Sequence, residues 1–257
     1  MSILKIDLQD VEKIDLINTK GMTANQVYNK YKPDFMINAA LYDMDTHQNI
    51  VNMEDENVKD GYLFSSQGIG INGLKHLLWT NYETAKKDSD IRDFIAGAPT
   101  LIKGGEVNID WGNKHSSQVD GSKYRSCIGF NATHFFMVGS DSPNTLKGLA
   151  EYCIKQGMKY AINLDGGGSC HLQQGTKKLK SSSRANASWI LVYLKKGDAK
   201  EEEKVETVKV KCNGKEQKGF IKDGLTYVPS RFVGENLGAN VDWDDETKTV
   251  TITPKEG

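Results

Sequence analysis

The feature that most constrains this chain is a break in it. Residues 195–204, KKGDAKEEEK, hold eight charged side chains in ten and no large hydrophobe. A stretch of that kind has nothing to bury, so no single core can run through it. The expected organisation is a large domain over 1–195, a charged linker over 196–204 and a small module over 205–257. The first part is long enough to enclose a core without staples, whereas the last sits near the size at which a core alone suffices. Across the whole chain 33 basic and 34 acidic residues leave a net charge of −1, which argues against a general nucleic-acid binder. No run approaches the ~18 apolar residues of a membrane span. Cys127, Cys153, Cys170 and Cys212 form no CxxC pair, so reduced thiols are expected and a structural zinc site is not.

The large part reads as α+β with a mixed sheet. TANQVYNKY (23–31) has helical spacing with Thr23 as its cap. NTLKGLAEYCIKQ (144–156) places Leu146, Leu149, Ala150, Cys153 and Ile154 on one helical face, and Gly157 ends it. Short apolar runs at 34–41, 91–102, 127–130, 134–138, 160–164 and 187–194 read as strands. The segment 205–257 is β-rich. It alternates over VETVKVKC, turns at Asn213-Gly214 and carries one short helix at 230–238.

GIGING (68–73) matches GxGxxG, but β-like runs surround it and no helix opens inside it, so a glycine-bearing hairpin is the better reading. INLDGGGSCHL (162–172) is the strongest local signal. A buried strand delivers Asp165 at its end, and Gly166, Gly167 and Gly168 then let the backbone approach a ligand and present N–H groups to an anion. Ser169 and His171 follow and would share a side if a strand resumed. Arg125, at the start of an apolar strand, is either a solvated edge residue or a guanidinium for phosphate. KKLKSSSR (177–184) groups Lys177, Lys178, Lys180 and Arg184 in a polar loop, either a solvated face or a path for a polyanion. His47, His76, His115, His134 and His171 form no metal-binding spacing. The residues require no cofactor, and the metal question stays open, with a divalent cation near Asp165 conceivable.

Four blocks in order resemble the phosphodiester glycosidase family: FMINAALYD (35–43), FIAGAPTLIKGG (94–105), YRSCIGF (124–130) and NLDGGGS (163–169), the last followed by RANASWIL (184–191). Ala39, Ala40 and Ala98 stand where the family usually has glycine, which implies a narrower pocket. The resemblance implies hydrolysis of a sugar-1-phosphodiester at the anomeric carbon. Asp165 would be nucleophile or base, Arg125 and Arg184 would hold phosphate, and Ser169 or His171 would assist. Asn38, Gly97, the three glycines and Asn186 would line the sugar site, and Asp43 and Asp141 are candidate second carboxylates.

Residues 223–252 resemble the stalk domain named after the N-terminal region of copper amine oxidases, found in surface and wall proteins of Gram-positive bacteria and their phages. With no histidine in 205–257, a copper site there is implausible. The start, MSILKIDLQD, shows no signal-peptide pattern. The expectation is synthesis in the cytoplasm and action at the bacterial cell wall, as in a phage lysis enzyme. Its partner would be a wall or capsular polysaccharide such as teichoic acid, with a homodimer through the C-terminal module also open. Two other readings are a non-catalytic glycan-binding protein on the same fold and a peptidoglycan hydrolase of different bond specificity.

Overall fold

The computed structural model describes residues 1–47, 49, 53–54, 67–112, 117–195, 206–222 and 225–255. The expected linker 196–204 and His115 lie outside the described residues. The chain divides into two compact units, Met1–Lys195 and Lys196–Gly257. No helix among the described residues is long and apolar enough to cross a membrane.

Among the described residues the first unit holds three sheets. The first runs β1 (Ser2–Asp7), β11 (His134–Gly139), β10 (Ser126–Phe130), β12 (Tyr160–Asn163), β8 (Thr100–Lys103), β9 (Glu106–Val107). The second runs β14 (Lys177–Lys180), β13 (Leu172–Gln174), β3 (Phe35–Asn38), β15 (Ala185–Leu194), β2 (Val11–Thr23). The third runs β4 (Met53–Glu54), β7 (Ile91–Ala96), β5 (Gln67–Asn72), β6 (His76–Asn81). The class is α+β as expected, with antiparallel pairing throughout the described strands rather than a mixture of directions. Short turns and sheet-to-sheet crossings connect the strands, and these do not need the helical crossovers that parallel pairs require.

Local chemistry explains the elements. Helix α1 (Ala24–Tyr31) starts on a capping box, in which Thr23 accepts from the Gln26 amide and the Gln26 side chain reaches back to the Thr23 amide. GIGING forms the β5–β6 hairpin, with no helix inside it. After the short α2 (Tyr82–Ala85), helix α3 (Leu146–Lys155) is capped by Thr145 and buries Leu146, Leu149, Ala150 and Cys153. Full burial of a side chain such as Leu149 is worth about 1.5–3 kcal/mol, which outweighs the weak propensity of so short a helix. One continuous apolar core takes residues from all three sheets, among them Ile14, Ile37, Phe94, Cys127, Phe136 and Ile162.

Two consequences matter for the site. The N-terminal segment serves both large sheets, β1 pairing with β11 and β2 with β15. The DGGGS segment, including the 3-10 turn Gly167–Ser169, crosses from β12 in the first sheet to β13 in the second. Asp165 therefore sits where the two sheets meet.

The second unit is described by itself. It has β16 (Glu206–Cys212), β17 (Lys215–Lys222) and β18 (Leu225–Tyr227) in one sheet, helix α4 (Ser230–Asn236), and the hairpin β19 (Ala239–Asp244) with β20 (Thr249–Pro254). Asn213 and Gly214 at φ 46° and 77° form the tight turn that their sequence predicts. Val241 is buried, whereas Leu225, Leu237, Trp243 and Ile252 are exposed.

Candidate functional site

At the end of β12 the chain carries Asp165 into a cleft of about 230 Å³, lined also by Lys123, Tyr124, Arg125, the three glycines and Arg184 over a floor of Leu41, Val119 and Leu164. The Asp165 amide donates to the Ala39 carbonyl at 3.0 Å, which ties the segment to the chain just past β3. Its carboxylate accepts from the Gly166 amide at 2.8 Å and from the Ser169 hydroxyl. Burial pushes its pKa up to about 6, against the opposing pull of the Ser169 and Gly166 bonds and the charge of Arg184. A carboxyl poised there can change protonation state near neutral pH, which suits general acid–base work.

Gly166 and Gly167 are each required for a reason of their own, whereas at Gly168 the neighbour is a movable side chain. A Cβ on Gly166 would lie 2.5 Å from the Tyr124 carbonyl oxygen. Gly167 has φ +59°, a left-handed value that side chains disfavour. A Cβ on Gly168 would lie 2.8 Å from Arg184 Nε, so the guanidinium rests on bare backbone. The expected use of the loop amides for an anion is narrowed by the structure. The Gly166 amide serves Asp165, and the Gly167 amide donates to the Tyr124 carbonyl at 2.9 Å.

The two arginines differ. Arg125 is buried to 2% exposure, yet its Nε and Nη2 donate to the carbonyls of Asn144 (3.0 Å) and Gly121 (2.7 Å). Burial lowers its pKa from the usual guanidinium value, and Asp120 and Cys170 oppose that shift. It ties the 119–125 wall of the cleft to the chain at Asn144 and adds positive charge there. Arg184 is exposed, contacts Met44 Sδ at 3.5 Å and has no carboxylate in ion-pair range among the described residues. Of the expected basic loop, Lys177–Lys180 is strand β14 rather than loop. Lys180 stands over the Tyr124 ring at 3.9 Å, while Lys178 turns away to Asn25.

Several expected site residues hold the cleft without lining it. Asn38 donates from Nδ2 to the Asp165 carbonyl (2.8 Å), and its Oδ1 accepts from Ser126 Oγ (2.8 Å) and the His171 amide (2.9 Å). Asn186 donates to the Ser169 carbonyl at 3.1 Å and lies 3.3 Å from Tyr42 Oη, which itself donates to the Ala185 carbonyl. Both asparagines are staples, with their polar atoms directed at backbone and hydroxyl groups instead of a sugar. His171 is placed in the same way, behind the loop and not in the cleft lining. Its Nδ1 accepts from the Ser182 amide at 3.2 Å, and Nε2 is 2.9 Å from Gln173 Oε1. Its ring edge meets Trp189, and burial lowers its pKa to about 4. It is a neutral support behind the loop.

Other expected residues lie elsewhere. A Cβ on Gly97 would meet the Thr100 amide at 2.6 Å, so that glycine serves its own turn beside the cis Ala98–Pro99 bond. Asp43 caps a turn through Asp45 and Thr46, and Asp141 pairs with the Met1 amine at 2.8 Å, so neither is a second carboxylate for the cleft. Ala39, Ala40 and Ala98 are buried and line no part of it, so they do not narrow it directly. Sequence reasoning missed Lys123 and Tyr124, next to Arg125 in the cleft wall. It also missed Tyr42, which meets Asn186 just beyond the end of β3; the aromatic in the first block was the available signal. Among the described residues no group of three or more His, Cys, Asp or Glu gathers to hold a metal ion.

Comparison with known proteins decides the family. The family described as phosphodiester glycosidase matches residues 31–193. The chain belongs to this family. That match takes in β3, Asp165 with its glycines, and β15, so the whole cleft lies within the phosphodiester glycosidase region. The family described as copper amine oxidase N-terminal domain matches residues 191–257. No curated protein matches the chain in sequence. The fold is similar to the zebrafish N-acetylglucosamine-1-phosphodiester alpha-N-acetylglucosaminidase catalytic domain auto-inhibited by its pro-peptide. The TM-score is 0.59 at 16% identity over 75% of this chain and 82% of that one. A hypothetical protein from Synechocystis is similar with a TM-score of 0.54 at 12% identity, over 75% of this chain and 59% of that one.

Proposed function

We propose that this phosphodiester glycosidase hydrolyses the bond between an anomeric carbon and a phosphodiester oxygen, releasing a free sugar and a phosphomonoester. The observation that carries the reading is Asp165, the one carboxylate among the described residues of the cleft, with a pKa of about 6 and faced by Lys123, Arg125 and Arg184. A phosphate leaving group is a weak base and departs with little protonation, so a strong general acid is not needed opposite Asp165. The requirement is instead positive charge on the departing phosphate and negative charge by an oxocarbenium-like centre. The cations supply the first and Asp165 the second. As a carboxylate, Asp165 attacks the anomeric carbon or removes a proton from the attacking water, and Ser169 fixes its orientation.

The test is turnover of a synthetic GlcNAc-1-phosphodiester by the full chain, followed as released sugar. Turnover that disappears in Asp165→Asn supports the reading. Binding of the diester without turnover favours a glycan-binding protein on the same fold, and cleavage of peptidoglycan in its place overturns the bond assignment.

The proposal extends to the setting. The substrate is a phosphodiester-linked wall or capsular glycan, reached at the cell wall by a lysis-type enzyme of phage or Gram-positive origin. The C-terminal module, similar to a domain used as a stalk, would raise local concentration there. Its exposed Leu225, Leu237, Trp243 and Ile252 would equally suit a second copy of the chain. Sedimentation with isolated walls, with and without 205–257, tests the first, and light scattering tests the second.

A further inference from the structure

A concavity larger than the cleft around Asp165 lies elsewhere in the first unit. A groove of about 830 Å³ opens at the other end of the first sheet, in the first unit. Strand β12 connects the two, with Tyr160 in the groove and Asp165 in the cleft, five residues or about 15 Å apart at strand rise. The groove is therefore no part of the catalytic site.

Its floor is apolar and fixed. Tyr160 is stacked between Phe130 (centroids 5.1 Å apart) and Trp79 (5.4 Å), and Leu77 lies alongside. Three lysines, Lys75, Lys159 and Lys195, stand in its walls, and no Asp or Glu lines it. None of the three has an ion pair among the described residues. Lys75 is built in: its Nζ donates to the carbonyls of Leu8 (2.8 Å) and Val11 (2.7 Å), which spends two of its three donors on the wall. Lys159 and Lys195 are exposed. Lys159 and Lys195 set two exposed cations on a lining without carboxylates, with Asp7 and Asp10 on the adjoining turn, so the anion-attracting field is local to those two lysines.

We propose that this groove is a second binding site for an anionic, phosphodiester-linked glycan. It would hold a stretch of the polymer whose scissile bond lies at Asp165, and in that respect it rests on the proposed function. The exposed edge of Tyr160 and Leu77 give the sugars apolar contact, and Lys159 and Lys195 take the phosphates between them. A site remote from the chemistry raises the affinity for polymer through effective concentration and does nothing for a small diester.

The experiment uses the full chain in an Asp165→Asn background, so that polymer is not consumed, and measures binding of a purified wall teichoic polymer. The charge-reversed double variant K159E/K195E touches only exposed side chains outside the cleft. The expected result is a roughly tenfold loss of polymer affinity, with salt dependence reduced and with no change in binding of neutral dextran. With Asp165 restored, the double variant should raise KM for the polymer and leave kcat/KM for the small diester as in the wild type. Unchanged polymer affinity overturns the site. An equal loss for polyphosphate, anionic vesicles or duplex DNA overturns the assignment to a glycan. If the wild type fails to turn over the small diester, the hydrolase reading fails, while polymer binding still reports on the groove alone.

Discussion

Removing the Asn38 side chain would separate a staple from a sugar ligand. In the structure its amide is the shared partner of three groups: the Ser126 hydroxyl, the His171 amide and the Asp165 carbonyl. Ser126 and His171 are buried to 1% exposure or less, so water cannot replace the lost partner without a rearrangement. A buried donor or acceptor left unsatisfied costs about 1–3 kcal/mol, and three sharing one site do not add fully. Asn38→Ala should therefore cost roughly 3–6 kcal/mol, a large part of the ~5–15 kcal/mol that holds a domain folded. With a urea m-value of about 2–3 kcal/mol/M, the midpoint should fall by about 1–3 M, read by tryptophan fluorescence. Ser126→Ala removes one partner and leaves the other two, so it should cost only about 1 kcal/mol. A cycle with both changes should then show a coupling of the same order. The reasoning is refuted if Asn38→Ala moves the midpoint by less than about 0.3 M while KM for the small diester rises, because Asn38 would then be meeting the substrate and not the fold.

Other outcomes follow from the same geometry. Asp165→Asn should lower kcat by at least about a hundredfold with unchanged far-UV circular dichroism; turnover near that of the wild type removes Asp165 from the chemistry. The kcat/KM profile should turn near pH 6, and because Ser169 and Arg184 both pull the Asp165 pKa down, Ser169→Ala and Arg184→Ala should each move that limb to higher pH; a limb that stays put assigns it to another group. Gly166→Ala, which places a methyl 2.5 Å from the Tyr124 carbonyl, should destabilise by more than about 2 kcal/mol, whereas Gly175→Ala at an open position should cost only its backbone strain, a contrast readable by thermal melts. His171 has a folded pKa of about 4 against 6.5 when unfolded, so the unfolded chain binds more protons between those values and stability rises with pH across that window. Asp165 and Asp93, both raised to about 6, act in the opposite direction between 3.8 and 6. His171→Gln should thus gain on the wild type as pH falls from 7 to 4, and a pH-independent difference would contradict a neutral buried imidazole.

The parts of the fold that showed in the sequence are those fixed by local chemistry. Thr23 caps α1, Asn213-Gly214 turns the C-terminal hairpin, and the 3.6-residue spacing of Leu146 to Cys153 marks the buried face of α3. What did not show depends on partners far along the chain. Nothing local in Ser2–Asp7 says that it pairs with His134–Gly139, and nothing in KKLK says that Lys177–Lys180 pairs with β13, since polar edge strands and solvated loops share a composition. The antiparallel pairing was hidden for the same reason.

The site divides along that line too. DGGGS was legible because two of its glycines answer separate local demands, a close carbonyl at Gly166 and a positive φ at Gly167. The roles of Asn38, Asn186 and His171 were not, because a motif shows that a polar residue is needed without showing which way it faces. Here each faces inward, and the reason lies in the crossing itself. A loop that leaves one sheet and enters another exposes backbone groups that no strand satisfies, and buried polar groups must find partners. Asn38 takes the Asp165 carbonyl and Asn186 the Ser169 carbonyl, while His171 takes the Ser182 amide of the neighbouring β14–β15 connection. With those obligations met by side chains behind the loop, Asp165 is held rigidly on the open side, partly desolvated and facing cations. That is the arrangement in which a single carboxylate can carry the reaction proposed for it.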